Sequence, residues 1–275
     1  MYEQLEKFRV YLLVRRGLQP YTIVGYQGGV RRFLTKATTL APTIEQVENY
    51  IAQMRQDNSS YNHVINTSLA LERYMEFLGT PLRLGRPKKP RRTIKDTLSE
   101  AEIARLIGAC KNIRERAILV LLAYSGIRAK ELCNLKVSDL NISNQSLYIR
   151  WGKGNKDRLA CIPSECLCIA LEYLAAHPRS TTEPLFSTLR KNNTYTTGDL
   201  RKLVKVVAKR MGFTKRVYPH LFRHSLATNM LNRGAAVYTI QQQLGHAYME
   251  TTMVYLHPGL RRIRNEYLFY VPNYV

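Results

Sequence analysis

Apolar residues recur at the three-and-four spacing of an amphipathic helix in four early stretches, Leu5 to Leu13, Tyr21 to Leu34, Ile44 to Met54 and Val64 to Leu78. The breaks between them fall on "GLQP", "TLAPT" and "QDNSS", where proline, glycine and short polar residues favour turns. This pattern predicts an all-helical module over residues 1–82. The periodicity then lapses through "LRLGRPKKPRRTIKD", in which Arg83, Arg86, Lys88, Lys89, Arg91 and Arg92 surround Pro87 and Pro90 with no acid between Leu82 and Ile94. Prolines keep such a segment extended and like charges keep it from collapsing, so residues 83–97 read as a basic linker.

A second domain, residues 98–275, is expected to start at "TLSEAEIARLI", where Ser99 stands as an N-cap and Glu102, three residues on, as its capping-box partner. Helical patterns follow from Ile113 to Tyr124 and from Lys130 to Leu135. Two short period-two runs come next, "SLYIRW" and "RLACIP", separated by "GKGNKD", which supplies the glycines and asparagine of a tight turn. Beyond a short non-helical "PLFST" the pattern is helical again and ends in a tyrosine-rich tail. The fold class expected is mainly α with one small β-sheet.

Charge narrows the partner. The 275 residues hold 42 Lys and Arg against 20 Asp and Glu, a formal net charge of +22, spread through a chain that is 45% hydrophobic. That distribution suits a polyanion better than a membrane surface, for which a basic face is confined to an amphipathic segment. No run reaches the roughly 18 apolar residues of a membrane span, and Glu3 and Glu6 stand where a signal peptide is apolar, so a cytoplasmic location is expected. Cys110, Cys133, Cys161, Cys166 and Cys168 form an odd set without a paired CxxC framework, as reduced, buried core thiols do.

The chemistry concentrates in "AYSGIRAKEL" (123–132), "HLFRHSLATNMLNRG" (220–234) and "IQQQLGHAYMETTMVYLH" (240–257). His220 and Arg223, at i and i+3 of a helix, share a face and suit a phosphate. His220 and His224 at i and i+4 resemble half of a zinc site, but Leu221 stands where an HExxH motif has its glutamate, and no third ligand is evident. Taken singly, Arg128 with Glu131 reads as a surface ion pair, Lys153 as a turn residue and Tyr255 as one ring among 18 tyrosines.

Together the three stretches resemble the tyrosine recombinase family of phage integrases and Xer-type recombinases. "GKGNKDR" is similar to that family's lysine-bearing hairpin, and "RRGLQPYTIVGYQGGVRRFL" is more loosely similar to its core-binding module. Ser125 and Phe222 depart from the commoner Thr and Leu. The resemblance implies a helical core-binding domain followed by an α+β catalytic domain, with Arg128, Lys153, His220, Arg223, His246 and Tyr255 as the catalytic set and Glu131 ordering the arginine loop. It further implies attack by Tyr255, nine residues after His246, on a DNA phosphate, with no metal and no nucleotide cofactor. The implied partners are double-stranded DNA and three further copies of the chain, exchanging strands through a Holliday junction. A type IB topoisomerase shares this chemistry but acts alone, and a noncatalytic DNA-binding regulator shares the fold.

The linker supplies a first prediction. Changing Lys88, Lys89, Arg91 and Arg92 to Gln is expected to weaken DNA binding and to flatten the plot of log K against log salt by roughly 0.9 for each phosphate no longer neutralised. An unchanged slope in a fluorescence titration would mean that these charges face solvent.

Overall fold

The computed structural model describes residues 1–88, 96–150, 157–188 and 194–245. The chain divides into two compact units, Met1–Thr93 and Ile94–Val275. In the first, α1 (Tyr2–Val14), α2 (Pro20–Ala37), α3 (Ile44–Gln56) and α4 (Tyr61–Phe77) follow the four periodic stretches. Their starts are set locally. Pro20 opens α2 behind an extended Gln19, as proline at the first helical position favours. Thr43 and Gln46 form a reciprocal capping box on α3, with bonds of 3.2 and 3.0 Å. The apolar faces meet in one core in which the Phe8 ring packs edge-on to Tyr74, centroids 5.2 Å apart. The buried Tyr74 hydroxyl donates to the Leu40 carbonyl at 2.7 Å, so the polar end of the ring is satisfied.

The second unit runs α5 (Glu100–Gly108), α6 (Ile113–Ser125), α7 (Ala129–Asn134), a 3-10 turn at Val137–Asp139, β1 (Leu140–Asn141), β2 (Ser146–Ile149), β3 (Arg158–Cys161), α8 (Ser164–Ala176), α9 (Thr197–Arg210), α10 (Pro219–Asn232) and α11 (Val237–Leu244). The Ser99–Glu102 capping box starts α5 as expected, with bonds of 3.2 and 2.7 Å. Every residue of α6 from Ala117 to Ala123 is buried, because α5, α8 and α10 pack around it. A helix that is apolar all round has to sit at the centre of its domain. The antiparallel sheet, in order β1-β2-β3, pairs Leu147 with Ala160 and Leu140 with Leu147. Leu147, Ile149 and Ala160 face the same core.

The fold class agrees with the sequence reading, with two local differences. Strand β1 is unannounced, since two residues are too few for a period to register. "PLFST" is non-helical as read from the sequence, and its residues make bridge pairs, Lys136 with Pro184 and Ser187 with Thr194. The expectation of buried thiols holds for Cys133 and Cys166, whose pKa values burial pushes up to about 11 and about 12. It fails for Cys161 and Cys168, which are exposed: Cys161 alternates away from buried Ala160 along β3, and Cys168 lies on the outer face of α8. Among the described residues no helix is long and apolar enough to cross a membrane.

Where the chain enters the second unit, both backbone groups of Leu98 are held by α10. Its N–H donates to Ser225 Oγ at 2.7 Å and its carbonyl accepts from Asn229 Nδ2 at 3.3 Å. Ser225, fully buried, also donates to the Leu221 carbonyl. Replacing Ser225 by Ala leaves a buried N–H without its acceptor, so urea unfolding is expected to show a loss of about 1–3 kcal/mol. A loss under about 0.5 kcal/mol would mean that water replaces the hydroxyl.

Candidate active site

The arginine stretch is placed by a helix end that needs glycine. Helix α6 stops at Gly126, whose φ of +62° is left-handed. A Cβ there would lie 2.5 Å from Leu244 Cδ2 and 3.0 Å from Leu226 Cδ2. The chain then turns so that Arg128 takes the N-cap position of α7 and Glu131 its third position. Glu131 reaches back, accepting from the Arg128 backbone N–H at 2.9 Å and from Arg128 Nη1 at 2.6 Å.

This is no surface ion pair. Glu131 is 8% exposed, and its carboxylate is gripped from the other side by Arg158 on β3, Nη1 to Oε1 at 3.0 Å and Nη2 to Oε2 at 2.8 Å. Burial alone would raise the Glu131 pKa. The Arg158 fork, the Arg128 N–H and the Arg128 charge outweigh it and hold the carboxyl down at about 2. Three guanidinium groups, those of Arg128, Arg158 and Arg223, therefore share this region with one carboxylate, a balance suited to an anion.

Helix α10 begins at Pro219 behind an extended Tyr218. His220 is exposed in the first turn, whereas Arg223, one turn on, is 1% exposed. The Arg223 fork donates from Nη1 to the Gly126 carbonyl and from Nη2 to the Leu244 carbonyl, both at 2.6 Å. The His220 and His224 rings lie edge to face, centroids 4.5 Å apart. Among the described residues no group of three His, Cys, Asp or Glu is placed to hold a metal.

The third stretch arrives through α11, closed by Gly245 with a φ of +64°. A Cβ on Gly245 would fall 2.3 Å from Arg158 Cδ, so only a bare backbone passes under that arginine. Arg128 Nη2 reaches the Gly245 carbonyl at 3.4 Å. Gln243 docks the same helix on the free edge of β3, accepting from the Cys161 N–H at 3.0 Å and donating to the Cys161 carbonyl at 2.8 Å.

Arg128 and Arg223, far apart in sequence, thus converge on the backbone of residues 244–245, with Glu131 holding Arg128 and His220 one turn away on α10. Lys153, His246 and Tyr255 lie outside the described residues, as do Lys89, Arg91 and Arg92; Lys88 is exposed. Arg158 and Gln243 were not singled out from the sequence. Arg158 carried a readable signal, since it shares the period-two face of buried Ala160, and a charge on an inward face demands a partner.

A family model described as the phage integrase family matches residues 96–261. Tyrosine recombinase XerA of Pyrococcus horikoshii is 32% identical over 264 residues, covering 94% of this chain and 90% of its own. The crystal structure of a XerA recombinase matches with a TM-score of 0.59 at 32% identity over 99% of both chains. The Tn1549 transposon integrase in complex with transposon right end DNA matches with a TM-score of 0.73 over 97% of this chain and 98% of its own; at 16% identity that likeness concerns the fold.

The depressed Glu131 pKa carries a stability consequence. Its contribution is complete above the unfolded value near 4.5 and declines as pH falls toward about 2. At neutral pH it amounts to on the order of 2–4 kcal/mol at 1.36 kcal/mol per pKa unit. The stability difference between wild type and Glu131→Gln, measured by urea unfolding, is expected to be level from pH 7 to about pH 5 and to shrink from there to pH 3. A difference independent of pH would refute this account of the Glu131 carboxylate.

Proposed function

We propose, from the premise that the chain belongs to the phage integrase family of tyrosine recombinases and is a DNA-cleaving and rejoining enzyme, that it recombines specific DNA sites through a 3′-phosphotyrosyl intermediate. The observation that carries the assignment is the convergence of Arg128 and Arg223 on residues 244–245, immediately before His246. A phosphodiester that becomes five-coordinate gathers negative charge on its nonbridging oxygens. Guanidinium groups fixed in advance stabilise that charge without reorganising during the step.

In this reading the Tyr255 hydroxyl attacks the scissile phosphorus, a P–O bond forms to the phenol, and the bond to the 5′-oxygen breaks. A phenol of pKa near 10 needs an acceptor for its proton, and exposed His220 takes that role. Lys153, in the stretch between β2 and β3, returns a proton to the departing 5′-oxygen. His246 donates a hydrogen bond to the phosphate. The covalent bond keeps the energy of the phosphodiester, so a 5′-hydroxyl from another strand reverses the step. Four copies on two duplexes would exchange strands in pairs through a Holliday junction. The XerH recombinase bound to difH substrate and the Tn1549 integrase bound to DNA support the polyanion as partner. The basic 83–97 segment then joins an amino-terminal and a catalytic domain on that DNA.

Tyr255→Phe removes one oxygen and keeps the ring, so folding and DNA affinity are expected to persist while the covalent step is lost. On a nicked suicide substrate, wild type and the control Tyr248→Phe should accumulate a protein–DNA adduct that survives a denaturing gel. Tyr255→Phe should form none while still shifting the DNA on a native gel. An adduct in Tyr255→Phe, or peptide mapping of the DNA to another residue, would overturn the assignment.

A further inference from the structure

We infer that Arg158 is a positioning residue for the cleavage reaction: by taking up the Glu131 carboxylate it leaves the charge of Arg128 available to the scissile phosphate, and by lying across Gly245 it bounds the end of α11. The inference rests on the recombinase reading above and concerns a residue that the sequence motifs do not assign.

The Glu131 carboxylate is fully bonded. A carboxylate has about four lone-pair directions, and here they meet the Arg128 N–H, Arg128 Nη1, Arg158 Nη1 and Arg158 Nη2. Arg158 supplies the bidentate fork, the strongest geometry an arginine has for a carboxylate. Arg128 gives Glu131 one guanidinium nitrogen and keeps Nη2 directed at the Gly245 carbonyl. Without Arg158, Glu131 would have a single cationic neighbour in this cluster. The two would close into a neutral one-to-one pair, and Arg128 would be drawn from the phosphate toward the carboxylate. Arg158 is thus a second cation that lets a buried acid hold a catalytic arginine in place without cancelling it.

Arg158 also acts sterically. Arg158 is itself 9% exposed at its side chain, and its Cδ, Nε and Cζ lie within 3.3 Å of where a Gly245 Cβ would stand. The same side chain therefore bounds the α11 C-terminus from above while Gln243 fixes its edge on β3. Arg158 also leads directly out of the segment that carries Lys153. One residue consequently touches the arginine loop and the Gly245 backbone and follows closely in sequence on Lys153.

The test is single-turnover cleavage of the nicked suicide substrate across a range of DNA concentrations, for wild type, R158Q, E131Q, the R158Q/E131Q double variant and R158K. R158Q is expected to lower the maximal rate on the order of tenfold to a hundredfold, with the half-saturating DNA concentration within about twofold of wild type. The double variant is expected to cleave faster than R158Q, because removing the unshared carboxylate charge frees Arg128. Independent roles for the two residues predict the opposite, two losses that multiply. Multiplying losses, or a wild-type maximal rate in R158Q, would overturn the inference. Should R158Q lose its cooperative melting transition, R158K decides. It keeps the charge without the fork, so its maximal rate is expected to fall on the order of threefold to tenfold at unchanged half-saturation, and a wild-type rate would overturn the inference. A wild type that forms no adduct would instead overturn the recombinase reading, so the two failures are distinguishable.

Discussion

A buried guanidinium, that of Arg223, joins two helix ends, and the rest of the catalytic unit is arranged around it. Taking such a charge out of water is costly unless it is well bonded. Arg223 meets the cost at the Gly126 and Leu244 carbonyls, which sit at the C-terminal, negative ends of α6 and α11. The bond to Gly126 fixes where the arginine loop leaves the central helix. The bond to Leu244 fixes where α11 ends. Both stretches of candidate chemistry are therefore registered to the same side chain, which is itself carried one turn from His220 on α10.

That arrangement demands two glycines. The carbonyls of residues 126 and 244 point at Arg223 because the backbone turns left-handed at Gly126 and at Gly245. At each position a β-carbon would collide with a neighbour that belongs to the site, Leu244 in one case and Arg158 in the other. Conformation and space thus act together, and either alone would exclude a larger residue. The dense packing also explains why α6 is apolar all round. Its position is set on every face, so the helix end that presents Gly126 has no freedom to drift.

The parts of this architecture that depend on near neighbours in sequence were legible. The four helices of the first unit, the Ser99–Glu102 cap and the β2–β3 pairing all follow from periods of 3.6 or 2 and from turn residues. The parts that depend on distant partners were not. Glu131 at i+3 from Arg128 looks the same whether the pair faces water or the interior, and the difference is made by Arg158, 27 residues away. Gln243 looks like one of three consecutive glutamines on an amphipathic helix until its amide is seen on the Cys161 backbone, 82 residues away. Likewise the helical spacing of His220 and Arg223 carries no information on burial: His220 is exposed, whereas Arg223 is 1% exposed because its partners are the Gly126 and Leu244 carbonyls of distant segments.

The bonds of the free protein also differ in strength in a way that matters for the proposed chemistry. Arg223 to its two carbonyls, and Arg128 Nη1 to Glu131, are all 2.6 Å, short charge-assisted bonds that hold the framework. Arg128 Nη2 to the Gly245 carbonyl is 3.4 Å, beyond the usual range for N–H···O bonds. A phosphate oxygen carrying negative charge at an ordinary separation is a better partner for that nitrogen than a neutral carbonyl at the limit of reach. Substrate can thus replace the weakest bond in the cluster without disturbing the strong ones. The Glu131 carboxylate stays held by Arg128 and Arg158, and under the proposed function the bond given up to DNA would be the one that costs the framework least.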